Sequence, residues 1–167
     1  MKTITIKQPY ASLICEGIKD IENRTWPTKF RGRVLIHASI KNLLKKIKYG
    51  ETIQFLSKEQ VNSIMNSRKE TEIFGYHLPV GAIIGSVEIV DCVINHQSIW
   101  AEKSEGVIAG NTFYHKESDK CIWNWVLANP VLFAKPITNI KGKLSFWEYQ
   151  MTNEEYDELI DYGFAIL

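Results

Sequence analysis

The chain lacks most of the features that would assign it at a glance. Its three cysteines, Cys15, Cys92 and Cys121, are odd in number and widely separated. No CxxC pair or Cys/His spacing accompanies them, which argues against both a disulfide framework and a structural zinc site. A reducing cytoplasmic setting is the expectation. Long apolar runs are missing as well: MKTITIKQPYASLICEG is interrupted by Lys7, Gln8 and Pro9, so neither a signal peptide nor a membrane span is expected. Charge of one sign is also lacking, because 20 basic residues face 19 acidic ones for a net charge of +1. Without a global field, any nucleic-acid site must be a local patch, better suited to a short single strand or one nucleotide than to a long duplex footprint. There is no internal repeat, low-complexity tract or clear linker. What remains is a chain of 167 residues with 45% hydrophobic composition, enough for one well-packed core, and a single monomeric domain over 1–167 is expected.

The patterning predicts strands with inserted helices. KTITIK alternates isoleucine with polar residues, the period of a half-buried strand. Gln8-Pro9-Tyr10 then opens a short helix that Gly17 ends. RVLIHAS, from Arg33 to Ser39, reads as a buried strand. Ile40, Leu44 and Ile47 recur at helical spacing beside a stripe of Lys41, Lys45 and Lys48, which fits either a phosphate track or a solvated helix face. Ser57 and Gln60 form a capping-box signature before VNSIMNSRKE. GAIIGSVEIVDCVI predicts a long central strand, in which Glu88 needs an ion partner. Residues 99–121 read as a loop with room for a helical turn around Ala101 to Gly106. WNWVLA and VLFAKPI read as two strands separated by Asn129-Pro130, LSFWEY reads as another, and Thr152 with Glu155 caps a last helix near 152–162. Strands without a regular βαβ alternation imply an α+β class and a mixed barrel of about six strands.

Chemistry concentrates in Gly17-Ile-Lys-Asp-Ile-Glu-Asn-Arg-Thr-Trp26. With Ile21 inward, strand alternation places Glu22, Arg24 and Trp26 on the opposite face, with Lys19 at the mouth of the turn. Lys19 and Arg24 suit phosphate or carbonyl contacts, Glu22 suits a base or ribose hydroxyl, and Trp26 offers a stacking wall. The same residues also fit an exposed strand face with a Glu-Arg pair and a tryptophan tucked into the barrel. His37 can donate to a phosphate or titrate, or serve as a buried histidine bonded to backbone. Ser39 and Ser12 are further candidates to line a cleft, though such hydroxyls often cap helices. Trp123 and Trp125 share one strand face, either in the core or stacking a base.

QPYASLICEGIKDIENRTW, followed in order by RGRVLIHAS, LPVGAIIGSVEIVDC, WVLANP and KGKLSFWEY, resembles the ASCH domain family. It is similar in particular to the ASCH domain of eukaryotic transcription coactivators. The family signature GxKxxExR falls on Gly17, Lys19, Glu22 and Arg24. The resemblance runs from Ile4 to about Tyr149 and leaves 41–78 and 99–121 as insertions. It implies a PUA-like barrel, a cleft beside the motif, and RNA, single-stranded nucleic acid or a nucleotide as ligand, with no cofactor and no metal. Some compact members are amidohydrolases of acylated cytidine that pair the motif lysine with a threonine three positions later. Here that position holds Glu22, and a carboxylate cannot serve as the same acyl acceptor. A hydrolase, whether acting on a modified nucleoside or as a ribonuclease, with Lys19 as its candidate catalytic residue, is therefore the second expectation. A protein-interaction module in transcription or translation, contacting its partner through 99–121, is the third.

Overall fold

Alternation in KTITIKQ produces β1 (Lys2–Gln8), which buries Ile4 and Ile6 on one face, as the two-residue period of a strand requires. The computed structural model describes residues 1–44, 55–74, 77–110, 112–115 and 121–156. After β1 come α1 (Tyr10–Cys15) and β2 (Ile21–Arg24). Strand β3 (Gly32–Asn42) runs past the expected end at Ser39, because Gln8 of β1 pairs with Asn42 and carries the ladder through the region expected to be helical. Lys45, Ile47 and Lys48 of the expected basic helix lie outside the described residues. Helix α2 (Lys58–Asn66) starts at the Ser57–Gln60 capping box, and α3 (Glu70–Phe74) follows.

Strand β4 (Ala82–Val93) is central, between β3 and β7. The segment expected as a loop contains a hairpin, β5 (Gly106–Ala109) and β6 (Thr112–His115), turned at Gly110 with φ 61°. The two strands expected around Asn129-Pro130 are one, β7 (Trp123–Ile137). Asn129 adopts φ 49° where the β4–β7 register shifts, and Pro130, lacking an amide proton, is tolerated at such an irregularity. Strand β8 (Phe146–Glu148) completes the set. Thr152 and Glu155 cap a helical turn at 153–156; the rest of the expected last helix lies outside the described residues.

The six-stranded sheet has the order β2-β7-β4-β3-β1-β8, with β1 and β3 parallel and every other neighbouring pair antiparallel. It curls until its edges approach. Phe146 of β8 stacks on Trp125 of β7 at 5.1 Å between centroids, and Trp26 meets both rings edge-on at 4.6 and 5.5 Å. The expected mixed α+β fold is therefore found, but the barrel is not closed. Short β8 pairs with β1 only at Lys2, Thr3 and Ile4, so from Thr5 onward β1 borders an open seam facing β2.

Among the described residues three clusters form the core. Ile4, Ile6, Val34, Ile36, Ile84 and Trp125 fill the curl together with Ala11, Ile14 and Cys15 of α1. Leu35, Ile83, Phe133 and Trp147 pack on the outer face. Leu13, Ile21, Leu56, Ile64, Ile73 and Trp100 join α1 and β2 to segments far away in sequence. Glu88 has its expected partner in Arg33, at 2.9 Å.

Gly85 lets α1 lie against the sheet, since a Cβ there would stand 2.2 Å from the Val131 carbonyl oxygen and 2.7 Å from Cys15 Sγ. Gly85→Ala is predicted to lower unfolding free energy by about 1–3 kcal/mol, the cost of overpacking a filled core. Urea unfolding followed by tryptophan fluorescence measures it.

Candidate nucleic-acid interface

Glycine at position 17 makes the site's geometry possible. Its φ is 74°, which non-glycine residues rarely adopt, and a Cβ would reach 3.1 Å from Pro130 Cγ. The turn brings the amides of Ile18 and Lys19 onto one acceptor, the Leu13 carbonyl, at 2.9 and 3.0 Å. On the far side the Asp20 carbonyl accepts the Leu127 amide of β7. Lys19 is thus anchored before its side chain leaves the backbone.

That side chain is 4% exposed. Its ammonium donates to the Ile21 carbonyl and lies 3.4 Å from Glu22 Oε2, with the Tyr10 ring centroid 5.6 Å away. Burial lowers its pKa below the ordinary lysine value; Glu22 opposes that shift most, and Glu102 and Asp20 add to the opposition. The other Glu22 oxygen, Oε1, is 3.0 Å from Arg24 Nε. That nitrogen is buried and out of line for a hydrogen bond, so the contact is an ion pair of proximity. Arg24 then donates from Nη2 across the seam to the Thr5 carbonyl at 3.1 Å, and its guanidinium carbon lies 5.8 Å from the Trp125 ring centroid. One carboxylate therefore sits between two basic side chains.

The seam opens into a cleft of about 370 Å³ lined by Thr5, Ile6 and Lys7 of β1, Tyr10 of α1, and Lys19, Glu22, Asn23 and Arg24 around β2. Phe55 and Gln60 form a further wall with Trp100, Ala101 and Glu102. These last residues come from 41–78 and 99–121, the segments expected to be insertions. Gln60 joins the two: its Oε1 accepts the Ser57 amide in the capping box while its Nε2 donates to the Ile99 carbonyl at 2.9 Å. The Tyr10 hydroxyl donates to the Phe55 carbonyl, and the rings meet edge-on at 6.0 Å. Burial, with Glu102 and Glu22 adding, raises the Tyr10 pKa and keeps this donor protonated.

Lys19, Glu22 and Arg24 come together at the cleft, but Lys19, expected at the mouth of the turn, is buried there with its ammonium committed to the Ile21 carbonyl and Glu22. Trp26 does not line it; the ring packs on Trp125 and Phe146. His37 points to the outer face beside Trp147 at 5.7 Å, where Nε2 donates to the Ile140 carbonyl at 2.9 Å and burial lowers its pKa. The Ser39 hydroxyl accepts the Lys41 amide, and Ser12 is buried within α1 with its amide on Gln8 Oε1. Trp100 and Glu102 escaped sequence reasoning because 99–121 has no periodicity; Tyr10, Asn23 and Lys7 lay beside residues already singled out, with only a shared strand or helix start to mark them.

The sequence profile of the ASCH domain matches residues 4–137. The chain belongs to the ASCH domain family. This ASCH domain has a PUA-like fold of a kind generally associated with RNA binding. It is 33% identical over 94 residues to activating signal cointegrator 1 of Homo sapiens, and equally to that of Mus musculus. The match takes in 56% of this chain and only 15% of the length of those relatives. In three dimensions it is similar to the ASCH protein of Zymomonas mobilis, with a TM-score of 0.50, 14% identity, and coverage of 96% of this chain and 93% of the other. Likeness at that identity speaks for the fold. Among the described residues no helix is long and apolar enough to cross a membrane.

Removing one member of a buried ion pair leaves the other charge uncompensated. Glu22→Gln is expected to lower stability by about 3 kcal/mol, and Glu22→Gln combined with Lys19→Met is expected to recover much of that loss. Urea unfolding of the single and double variants checks both.

Proposed function

We propose that this ASCH domain holds a short stretch of single-stranded RNA, or a single nucleotide, in the cleft at the open seam. The reading rests above all on Arg24. Glu22 and the Thr5 carbonyl engage only part of its guanidinium, and the residue lines a cleft bordered by exposed Lys7 and by aromatic side chains. Cationic donors beside aromatic faces suit a phosphate and its base. A cleft of about 370 Å³ is at the small end for ligand sites, in keeping with a nucleotide-sized occupant. The near-neutral chain agrees, because a local cation pair serves a few phosphates and no more.

Lys19 in this reading acts from beneath. Its ammonium is committed to the Ile21 carbonyl and Glu22, so it sets the position of Glu22 and, through it, of Arg24. The cleft hydroxyls do not favour hydrolysis. That of Tyr10 is spent on the Phe55 carbonyl, and that of Thr5 accepts Trp147 Nε1 at 3.1 Å on the outer face. Neither is paired with a base in the manner of an activated nucleophile.

Arg24→Ala and Lys7→Ala are each expected to weaken binding of short single-stranded RNA by about tenfold and to reduce the salt dependence by roughly one phosphate contact. Fluorescence anisotropy at several salt concentrations measures this, with circular dichroism to confirm folding. Unchanged affinity and salt slope in the folded double variant would reject the reading, and product in mass spectra of the same mixtures would turn it into an enzyme.

A further inference from the structure

Glu102 stands apart among the groups lining the cleft. Its main chain is tightly held: the Glu102 amide donates to Asn23 Oδ1 at 3.1 Å, and Asn124 Nδ2 donates to the Glu102 carbonyl at 3.0 Å. Two residues earlier, the Trp100 carbonyl accepts Asn23 Nδ2 at 2.9 Å. The two asparagines are themselves bonded at 2.9 Å across the β2–β7 pair, and Asn124 is wholly buried. Trp100, 3% exposed, plugs the loop into the core beside Ile21 and Leu13. A surface loop anchored so firmly presents its next side chain in a set position.

The carboxylate at the end of that side chain nevertheless has no cation partner among the described residues. Among the described residues its one hydrogen bond is long, 3.5 Å from Asn23 Nδ2, and it is exposed at the cleft wall. Glu22, by contrast, has both oxygens taken by Lys19 and Arg24. Glu102 is therefore the acidic acceptor that the cleft offers to a ligand. Its field is also felt inside, where it adds to the shifts of Tyr10 and Lys19.

We propose that Glu102 selects the base held in the cleft, and that it selects guanine. The proposal rests on the nucleotide-binding reading and adds a preference to it. An ionised carboxylate is an acceptor with two parallel oxygens. On its Watson–Crick edge guanine carries two adjacent donors, N1–H and the N2 amino group, and meets both oxygens at once. Adenine and cytosine present one amino donor beside a ring-nitrogen acceptor, which the carboxylate repels. Uracil has a single N3–H between two carbonyl acceptors, a worse match still. Bases in single-stranded RNA are read on this edge because pairing does not occupy it.

The test uses four RNA pentamers, UUGUU, UUAUU, UUCUU and UUUUU, titrated into the full chain and into Glu102→Gln by fluorescence anisotropy. A bidentate pair that discriminates against the wrong base predicts that the wild-type protein binds UUGUU roughly tenfold or more tighter than the other three. Glu102→Gln, with an amide that supplies one acceptor and one donor, is expected to lose the guanosine preference. Glu102 is exposed, and circular dichroism of the variant guards against a folding artefact. Binding of all four pentamers with equal affinity would overturn the selectivity, a guanosine preference that survives in Glu102→Gln would overturn its assignment to Glu102, and either would leave the RNA-binding reading standing. Failure of every pentamer to bind would overturn both.

Discussion

A lysine ammonium 4% exposed to solvent is the constraint around which this structure is arranged. Taking such a charge out of water costs several kcal/mol unless it is paired and hydrogen-bonded. Glu22 supplies the anion and the Ile21 carbonyl a further acceptor. Compensating Lys19 fixes Glu22, and Glu22 in turn brings Arg24 alongside at 3.0 Å. Arg24 reaches the Thr5 carbonyl and so spans the gap between β2 and β1. A buried charge at the end of one short helix thus governs how the two edges of the curled sheet meet.

The open seam is a consequence of unequal strand lengths. β8 spans Phe146–Glu148 against a β1 of Lys2–Gln8, so the second half of β1 has no strand neighbour on that side among the described residues. Backbone polar groups at such an edge need partners, and here a side chain from β2 provides one. The remaining space is enclosed by Phe55, Gln60, Trp100 and Glu102. The cleft is consequently a product of both parts of the chain: the curled sheet supplies the basic side chains, and the two intervening segments supply aromatic cover and the exposed Glu102 carboxylate. Gln60, which caps α2 and holds the Ile99 carbonyl, makes these segments one wall.

Much of this could be read in advance where local rules dominate. The period of KTITIK, the capping box at Ser57 and Gln60, and the β-branched run of β4 all gave elements of the expected type. Two-residue alternation likewise implied that Glu22 and Arg24 lie on one face, where they form an ion pair. Elsewhere, long-range pairing overrode local signals. β3 continues to Asn42 against a helical pattern because Gln8 offers a ladder partner, and β7 passes through Asn129-Pro130 because β4 holds both halves in one sheet.

Sequence by itself determined the strand-rich class, the family signature and the cationic triad, since each depends on residues close together in the chain. Tertiary structure alone decided that Lys19 is buried, that Trp26 and His37 turn away from the cleft, and that Trp100 and Glu102 belong to it. Those outcomes depend on which distant surfaces bury one another. Asn23 and Asn124, 101 positions apart, exchange a hydrogen bond that fastens the Glu102 loop, and no spacing rule along the chain encodes a contact of that kind.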